Sequence, residues 1–208
     1  MAPKYVLHYF NFTSLGEPIR FLLAYGKADW EDIRYERWGD DWQKAKSKTP
    51  CGTMPILIVD GKQYAQSAAI ARYLAKQYGL AGKDDMESLQ IDIVVDVCAD
   101  LFSKIGAWHY DPLPDSKASK EAPLLKEQVP FCLAKLEEIV KANGGYLVNG
   151  KLTLADIFFA APLNWYIAVT KTNLLQAYPT LQALVKKVES QPEIASYIAS
   201  RPTNPENK

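Results

Sequence analysis

A proline set directly before four apolar residues, Pro55 ahead of Ile56-Leu57-Ile58-Val59, constrains this chain more than any other feature. Proline cannot donate a ladder hydrogen bond, and a cis Met54-Pro55 bond turns the preceding loop so that the Met54 backbone faces outward. A backbone exposed in that way can pair with an extended peptide. Asp60-Gly61 then fits a tight hairpin turn, and Gln63 to Ala65 reads as the returning strand. Ser67 stands where an N-cap would open a helix over Ser67 to Tyr78, stopped at Gly79. The first turn of that helix, Ala68 to Ala71, carries no acidic side chain, so its partial positive charge is left for an anion from outside.

Two further β-like runs lie upstream, at Tyr5 to Phe10 and Ile33 to Arg37. Between them, Ser14 and Glu17 have capping-box spacing, ahead of a helix with Pro18 in its first turn and Gly26 at its stop. Residues 1–79 therefore read as a βαβ plus ββα unit, an α/β domain with a mixed four-stranded sheet. A polar connection follows at 80–85, and beyond it no stretch has strand character. Apolar spacing predicts an all-helical domain over 86–208, with helices at 86–109, 120–142, 153–170, 178–190 and 192–199. Thr153 and Asp156 form a second capping-box pair, and the apolar run Ile157 to Pro162 predicts a buried central helix that Pro162 kinks or ends.

At 208 residues and 48% hydrophobic composition the chain can bury a sizeable core. Lys plus Arg and Asp plus Glu are equal at 24 each, so no global basic field exists to attract nucleic acid or an anionic membrane surface. Lys4 and His8 interrupt any apolar leader, and no stretch approaches the ~20 apolar residues of a membrane span, which makes a cytoplasmic location the expectation. Cys51, Cys98 and Cys132 are odd in number and far apart, which argues against disulfides and structural zinc.

Four segments taken together carry a family resemblance: Tyr9 at the end of the first strand, M-P-I-L-I-V-D-G at 54–61, Q-S-x-A-I-A-R-Y-L at 66–74 and T-L-A-D-I at 153–157. Over essentially its whole length the chain resembles the cytosolic glutathione transferases, which have a thioredoxin-like domain followed by a helical one. Y-F-N at Tyr9 to Asn11 and D-W at Asp41-Trp42 are similar to the sigma class, which includes haematopoietic prostaglandin D synthase and many invertebrate enzymes.

The resemblance implies glutathione as co-substrate, a tripeptide with two carboxylates, an ammonium and a thiol, and it implies no metal. The Met54 backbone would pair with the cysteinyl residue, Gln66 and Ser67 would take the γ-glutamyl carboxylate, and Trp42 and Lys46 the glycine carboxylate. Tyr9 is the expected catalytic group. A thiol ionises near pH ~8.5 and reacts as thiolate, which a phenol stabilises by donating a hydrogen bond to sulfur.

Asp92, Asp96 and Asp100 recur every four residues along one helix face, so the stripe needs a cation: a partner subunit's basic residue, a metal or an ammonium. The resemblance implies that Asp100 reaches the glutathione ammonium of a partner in a homodimer. The electrophile pocket is expected between the domains, lined by Phe10, Leu15, Trp108, Phe158 and Pro162.

The chain also departs from the family. Leu15 and Thr53 stand where vertebrate prostaglandin synthases of this class carry an arginine and a lysine, and Ala99 stands at the middle position of their interface aspartate cluster. Conjugation of glutathione to hydrophobic electrophiles is therefore favoured over prostaglandin-type isomerisation, with a non-catalytic ligand-binding or structural role as the remaining alternative. Cys51, read as a half-buried inert thiol, replaces the aromatic plug that many transferases insert into the partner, which implies a flatter and more polar dimer contact. A thiol-disulfide oxidoreductase is disfavoured because residues 11–18 hold no cysteine.

Overall fold

The computed structural model describes residues 4–203. Strand β1 (Tyr5–Phe10) lies inside a four-stranded sheet, between the parallel β2 (Trp30–Tyr35) and the antiparallel β3 (Ile56–Val59). Period-two alternation buries Tyr5, Leu7 and Tyr9 while Val6 and His8 stay partly exposed. β3 returns antiparallel as β4 (Lys62–Ala65) through Asp60 and Gly61, both at positive φ (48° and 81°), the backbone of a type I′ hairpin turn. The Met54–Pro55 bond is cis.

β2 lies upstream of the expected Ile33 to Arg37. Its parallel register with β1, from Tyr5 opposite Trp30 to Phe10 opposite Tyr35, overrides the weak local pattern. Helix α1 (Glu17–Tyr25) packs against α3 (Ser67–Gln77), and the seven-residue α2 (Asp40–Lys46), which the sequence pattern did not reveal, follows β2.

Two cap assignments change. Ser14 does not cap α1: it lies at φ 39° in a 3-10 turn, Ser14–Gly16, and Gly16 is the N-cap. Glu17 is drawn instead to Arg20, to the Tyr197 hydroxyl (3.3 Å) and to Arg201, because a buried carboxylate gains more from cations than from a single amide. At α3 the N-cap is Gln66, at φ 76°, and Ser67 is the first helical residue. The first turn of α3 carries no acidic residue, as expected.

The remaining chain is helical: α4 (Asp85–His109), α5 (Pro114–Ala122), α6 (Val129–Ala142), α7 (Leu154–Ala160), α8 (Leu163–Thr170), α9 (Pro179–Glu189) and α10 (Pro192–Ser200). The helix expected at 120–142 is longer and composite, with α5 passing through a π-helical stretch, Pro123–Gln128, into α6. No residue of α5 is buried, so it has no apolar stripe for periodicity to detect. The run from 153 to 170 breaks at Pro162, separating α7 from α8. The second capping box is present: Asp156 accepts from the Thr153 backbone N–H (2.7 Å) and from the Leu147 N–H (2.8 Å). Every residue of α7 is buried, against α1, α3, α4 and α9. Among the described residues no helix is long and apolar enough to cross a membrane.

Arg20 and Glu17 together tie the two parts to each other. Fully buried, Arg20 donates to the Phe10 and Phe12 carbonyls (3.1 and 2.9 Å), to Glu17 (3.0 Å) and to Asp32 of β2 (3.1 Å). Glu17 in turn holds Tyr197 and Arg201 at the end of α10. Removing one partner of a buried, hydrogen-bonded charge network strands the others. Arg20→Met is therefore expected to lower unfolding free energy by about 3–5 kcal/mol in denaturant titration; a loss below about 1 kcal/mol would show that solvent replaces the network.

Candidate active site

The C-terminal end of β1 and the turn after it build the centre of the site. Tyr9 is 3% exposed, and its hydroxyl accepts a hydrogen bond from the Leu15 N–H at 3.1 Å. Its own O–H remains to be donated to a second partner. Burial pushes this phenol up to about 12, against the Ser14 hydroxyl, the Arg20 guanidinium and the Leu15 N–H, all of which favour the anion. Tyr9 is therefore a neutral donor throughout the neutral range. The Arg20 guanidinium lies 5.4 Å from the centre of its ring.

Phe10 joins Tyr9 to the neighbouring elements, with ring centroids 5.4 Å from Tyr9, 5.5 Å from Phe12 and 5.5 Å from Trp42, the last perpendicular. Trp42 is buried on α2, and Lys46 is exposed one turn later at the end of that helix. Met54 is buried before the cis proline, while Gln66 and Ser67 stand exposed and half-buried at the start of α3. Asp100 is exposed on α4.

The aspartate stripe has an answer within the chain for two of its members. Arg72 of α3 donates to Asp92 (2.7 Å) and Asp96 (2.5 Å), so the cation is neither a metal nor a partner's residue at those positions. Cys51 is exposed, not half-buried, because it lies in the irregular loop before β3.

Of the expected pocket residues, Phe10 and the half-buried Leu15 adjoin Tyr9. Phe158 does not: at 1% exposure inside α7 it is core, since a helix apolar on every side has no face left for a ligand. Pro162 is likewise buried, at the α7–α8 break. Trp108 is buried, with the Lys117 ammonium 5.1 Å over its ring.

The helical part instead reaches the Tyr9 neighbourhood through residues that sequence reasoning missed. Trp165 of α8 stacks on Phe12 (5.7 Å) and on Tyr110 (6.0 Å), and the Tyr166 hydroxyl lies 3.5 Å from Ser14 Oγ. Arg37, between β2 and α2, lays its guanidinium 3.8 Å from the Tyr110 ring centre and 5.3 Å from that of Phe10. The aromatic run Trp165-Tyr166 was the available signal, overshadowed by the more apolar segment before it. A large open concavity of about 880 Å³ lies elsewhere, lined by Ile33, Asp40, Lys44 and Lys48 among others; Tyr9 is not in its wall.

Residues 5–76 match the family model of the glutathione S-transferase N-terminal domain, and residues 99–201 that of the glutathione S-transferase C-terminal domain. The chain is 48% identical over 200 residues to a glutathione S-transferase of Anopheles gambiae, covering 96% of this chain and 98% of that one. It is 44% identical to glutathione S-transferase S1 of Drosophila melanogaster, covering 96% and 79%. Its fold is similar to the solved structure of prostaglandin synthase D of Nilaparvata lugens, with a TM-score of 0.91 at 44% identity over 97% of this chain and 100% of that one.

Gly16 makes the Tyr9 position possible. A methyl group there would overlap the Tyr9 ring, although the glycine's φ of −83° suits any residue. Gly16→Ala is expected to displace the ring, altering near-ultraviolet tyrosine dichroism and lowering unfolding free energy by about 1–3 kcal/mol; an unchanged spectrum and stability would mean that the ring has room to spare.

Proposed function

Since the chain belongs to the glutathione S-transferase family, whose members use glutathione as co-substrate, we propose that it adds the glutathione thiolate to hydrophobic electrophiles with Tyr9 holding the sulfur anion. The observation that carries this reading is the Tyr9 hydroxyl: buried, oriented by the Leu15 N–H, still protonated, and keeping a proton to donate. The thiol proton leaves to solvent, the phenol O–H donates to the sulfur anion, and the sulfur forms a bond to the electrophilic carbon as a leaving group departs with its electron pair, or as a π pair moves to the neighbouring atom and is protonated from solvent.

The tripeptide runs from α2 to α3 in this reading. Lys46 and the Trp42 indole N–H meet the glycine carboxylate, the Met54 backbone pairs with the cysteinyl residue, and Gln66 and Ser67 receive the γ-glutamyl carboxylate at the uncompensated N-terminus of α3. In this reading the glutathione domain is residues 1–79, joined by 80–85 to a helical domain over 86–208, with 1–3 and 204–208 lying outside the described residues. Y-F-N, D-W and the insect relatives favour the sigma class, and detoxification in the cytoplasm is the corresponding role. The prostaglandin synthase named among the relatives brings an isomerase reading to this chain. Leu15, apolar beside the Tyr9 hydroxyl, supplies no cation there and favours conjugation.

A homodimer accords with α4. Met86, Leu89, Ile93 and Val97 recur at spacings of three and four residues and are all exposed, continuing past Val97 to a groove shared with Asp100 and the exposed Phe131. Asp100 would then lie at the seam, able to meet the ammonium of the partner's glutathione. Ile93→Glu is expected to shift sedimentation from dimer to monomer; an unaltered dimer would place the interface elsewhere.

With a chlorodinitrobenzene-type electrophile, Tyr9→Phe is expected to retain glutathione and to turn over about tenfold to a hundredfold more slowly, the worth of one hydrogen bond to a charged group. Equal turnover by the two proteins would remove Tyr9 from the mechanism.

A further inference from the structure

The chain contains five arginines, at positions 20, 34, 37, 72 and 201. Four of them are paired with carboxylates: Arg20 with Glu17 and Asp32, Arg34 with Asp32, Arg72 with Asp92 and Asp96, and Arg201 with Glu17. Arg37 is the exception. Among the described residues no carboxylate pairs with it, and its Nε is buried with no hydrogen-bond acceptor. A guanidinium with an unmet, desolvated N–H is costly unless something outside the chain completes it.

Its surroundings specify what would complete it. The guanidinium is enclosed by three rings, with its carbon 3.8 Å from the Tyr110 centre and 5.3 Å from those of Phe10 and Trp38. The Tyr110 ring lies at stacking distance from the guanidinium, an arrangement that leaves the N–H edge for a planar, bidentate acceptor. Two acidic groups beside its neighbours are already engaged: Glu36 accepts from Asn11, and Asp111 holds Lys120 and Ser116. Lys117, the other cation at this end of α4, donates to the His109 carbonyl at 2.8 Å. Trp38 is 76% exposed, an apolar rim beside the charge. Phe10 touches both Arg37 and Tyr9, which puts the guanidinium within two ring spacings of the catalytic tyrosine.

We propose that Arg37 is an anion subsite of the electrophile cleft, taking the carboxylate of an amphipathic electrophile whose apolar body lies along Phe10, Trp38 and Tyr110. The proposal rests on the transferase reading for its reaction and on Arg37 for its selectivity. The carboxylate is a spectator: sulfur bonds to the electrophilic carbon, the displaced electron pair either departs with the leaving group or forms a carbanion that takes a proton from solvent, and the thiol proton goes to solvent.

Two matched pairs of probes separate the claims. The first is 4-chloro-3,5-dinitrobenzoate against its methyl ester, in which the carbon–sulfur bond replaces carbon–chlorine and chloride departs. The second is decanoate against decanol, read by tryptophan fluorescence without turnover. In Arg37→Gln the benzoate-to-ester ratio of kcat/KM is expected to fall about tenfold or more, and the decanoate-to-decanol affinity ratio to fall alike. Arg37→Lys, which keeps the charge and loses the fork, should lie between. Equal losses for charged and neutral probes would mark Arg37 as a strap across the cleft and overturn the proposal, as would unchanged ratios. If the native protein turns over neither substrate while decanoate binding still depends on Arg37, the subsite stands and the transferase reading fails. Decanoate binding that ignores Arg37 refutes the subsite whatever the turnover.

Discussion

Arg20 has no exposed surface, and its guanidinium divides its donors among the Phe10 and Phe12 carbonyls, Glu17 and Asp32. A cation taken so far from water is tolerable only when several acceptors replace its hydration, and those acceptors come from the end of β1, the first turn of α1, and β2. The turn carrying residues 10–16 is thereby anchored at both ends. Glu17 extends the network to Tyr197 and Arg201, so the last helix is fastened to the first domain by the same charges.

The chemistry proposed at Tyr9 depends on that anchoring. The Leu15 N–H reaches the phenol because the turn is fixed, and the ring fits because Gly16 presents no side chain to it. A neutral donor held in a desolvated place needs no reorganisation when negative charge appears on a nearby sulfur, which is where electrostatic stabilisation is most effective. Arg37 is the counterpart at the other side of Phe10: a cation that the fold encloses in rings and does not neutralise.

What was legible in the sequence followed local rules. Pro55 and Asp60-Gly61 bound β3 on both sides, and the Thr153–Asp156 box opens α7 where its spacing says it must. The long amphipathic pattern of α4 was readable to within a residue of its start. Failures came where a distant partner outcompeted a local one. Ser14 and Glu17 have the same spacing as Thr153 and Asp156, yet Glu17 answers to Arg201, far along the chain. The Asp92 and Asp96 stripe looked in need of an outside cation because Arg72, on another helix, gives no periodic signal. Apolar character alone does not distinguish a core helix from a cleft wall, which is why the sequence around Phe158 suits either, and α5 leaves no periodic signal because it buries nothing.

Stabilisation of a sulfur anion by the Tyr9 hydroxyl is tested most directly by titrating the thiol of bound glutathione through thiolate absorbance, in the native protein and in Tyr9→Phe. The native complex is expected to ionise well below the free thiol's ~8.5, and the variant to return most of the way towards it. A bound thiol with the same titration midpoint in both proteins would remove Tyr9 from that role, whatever their rates.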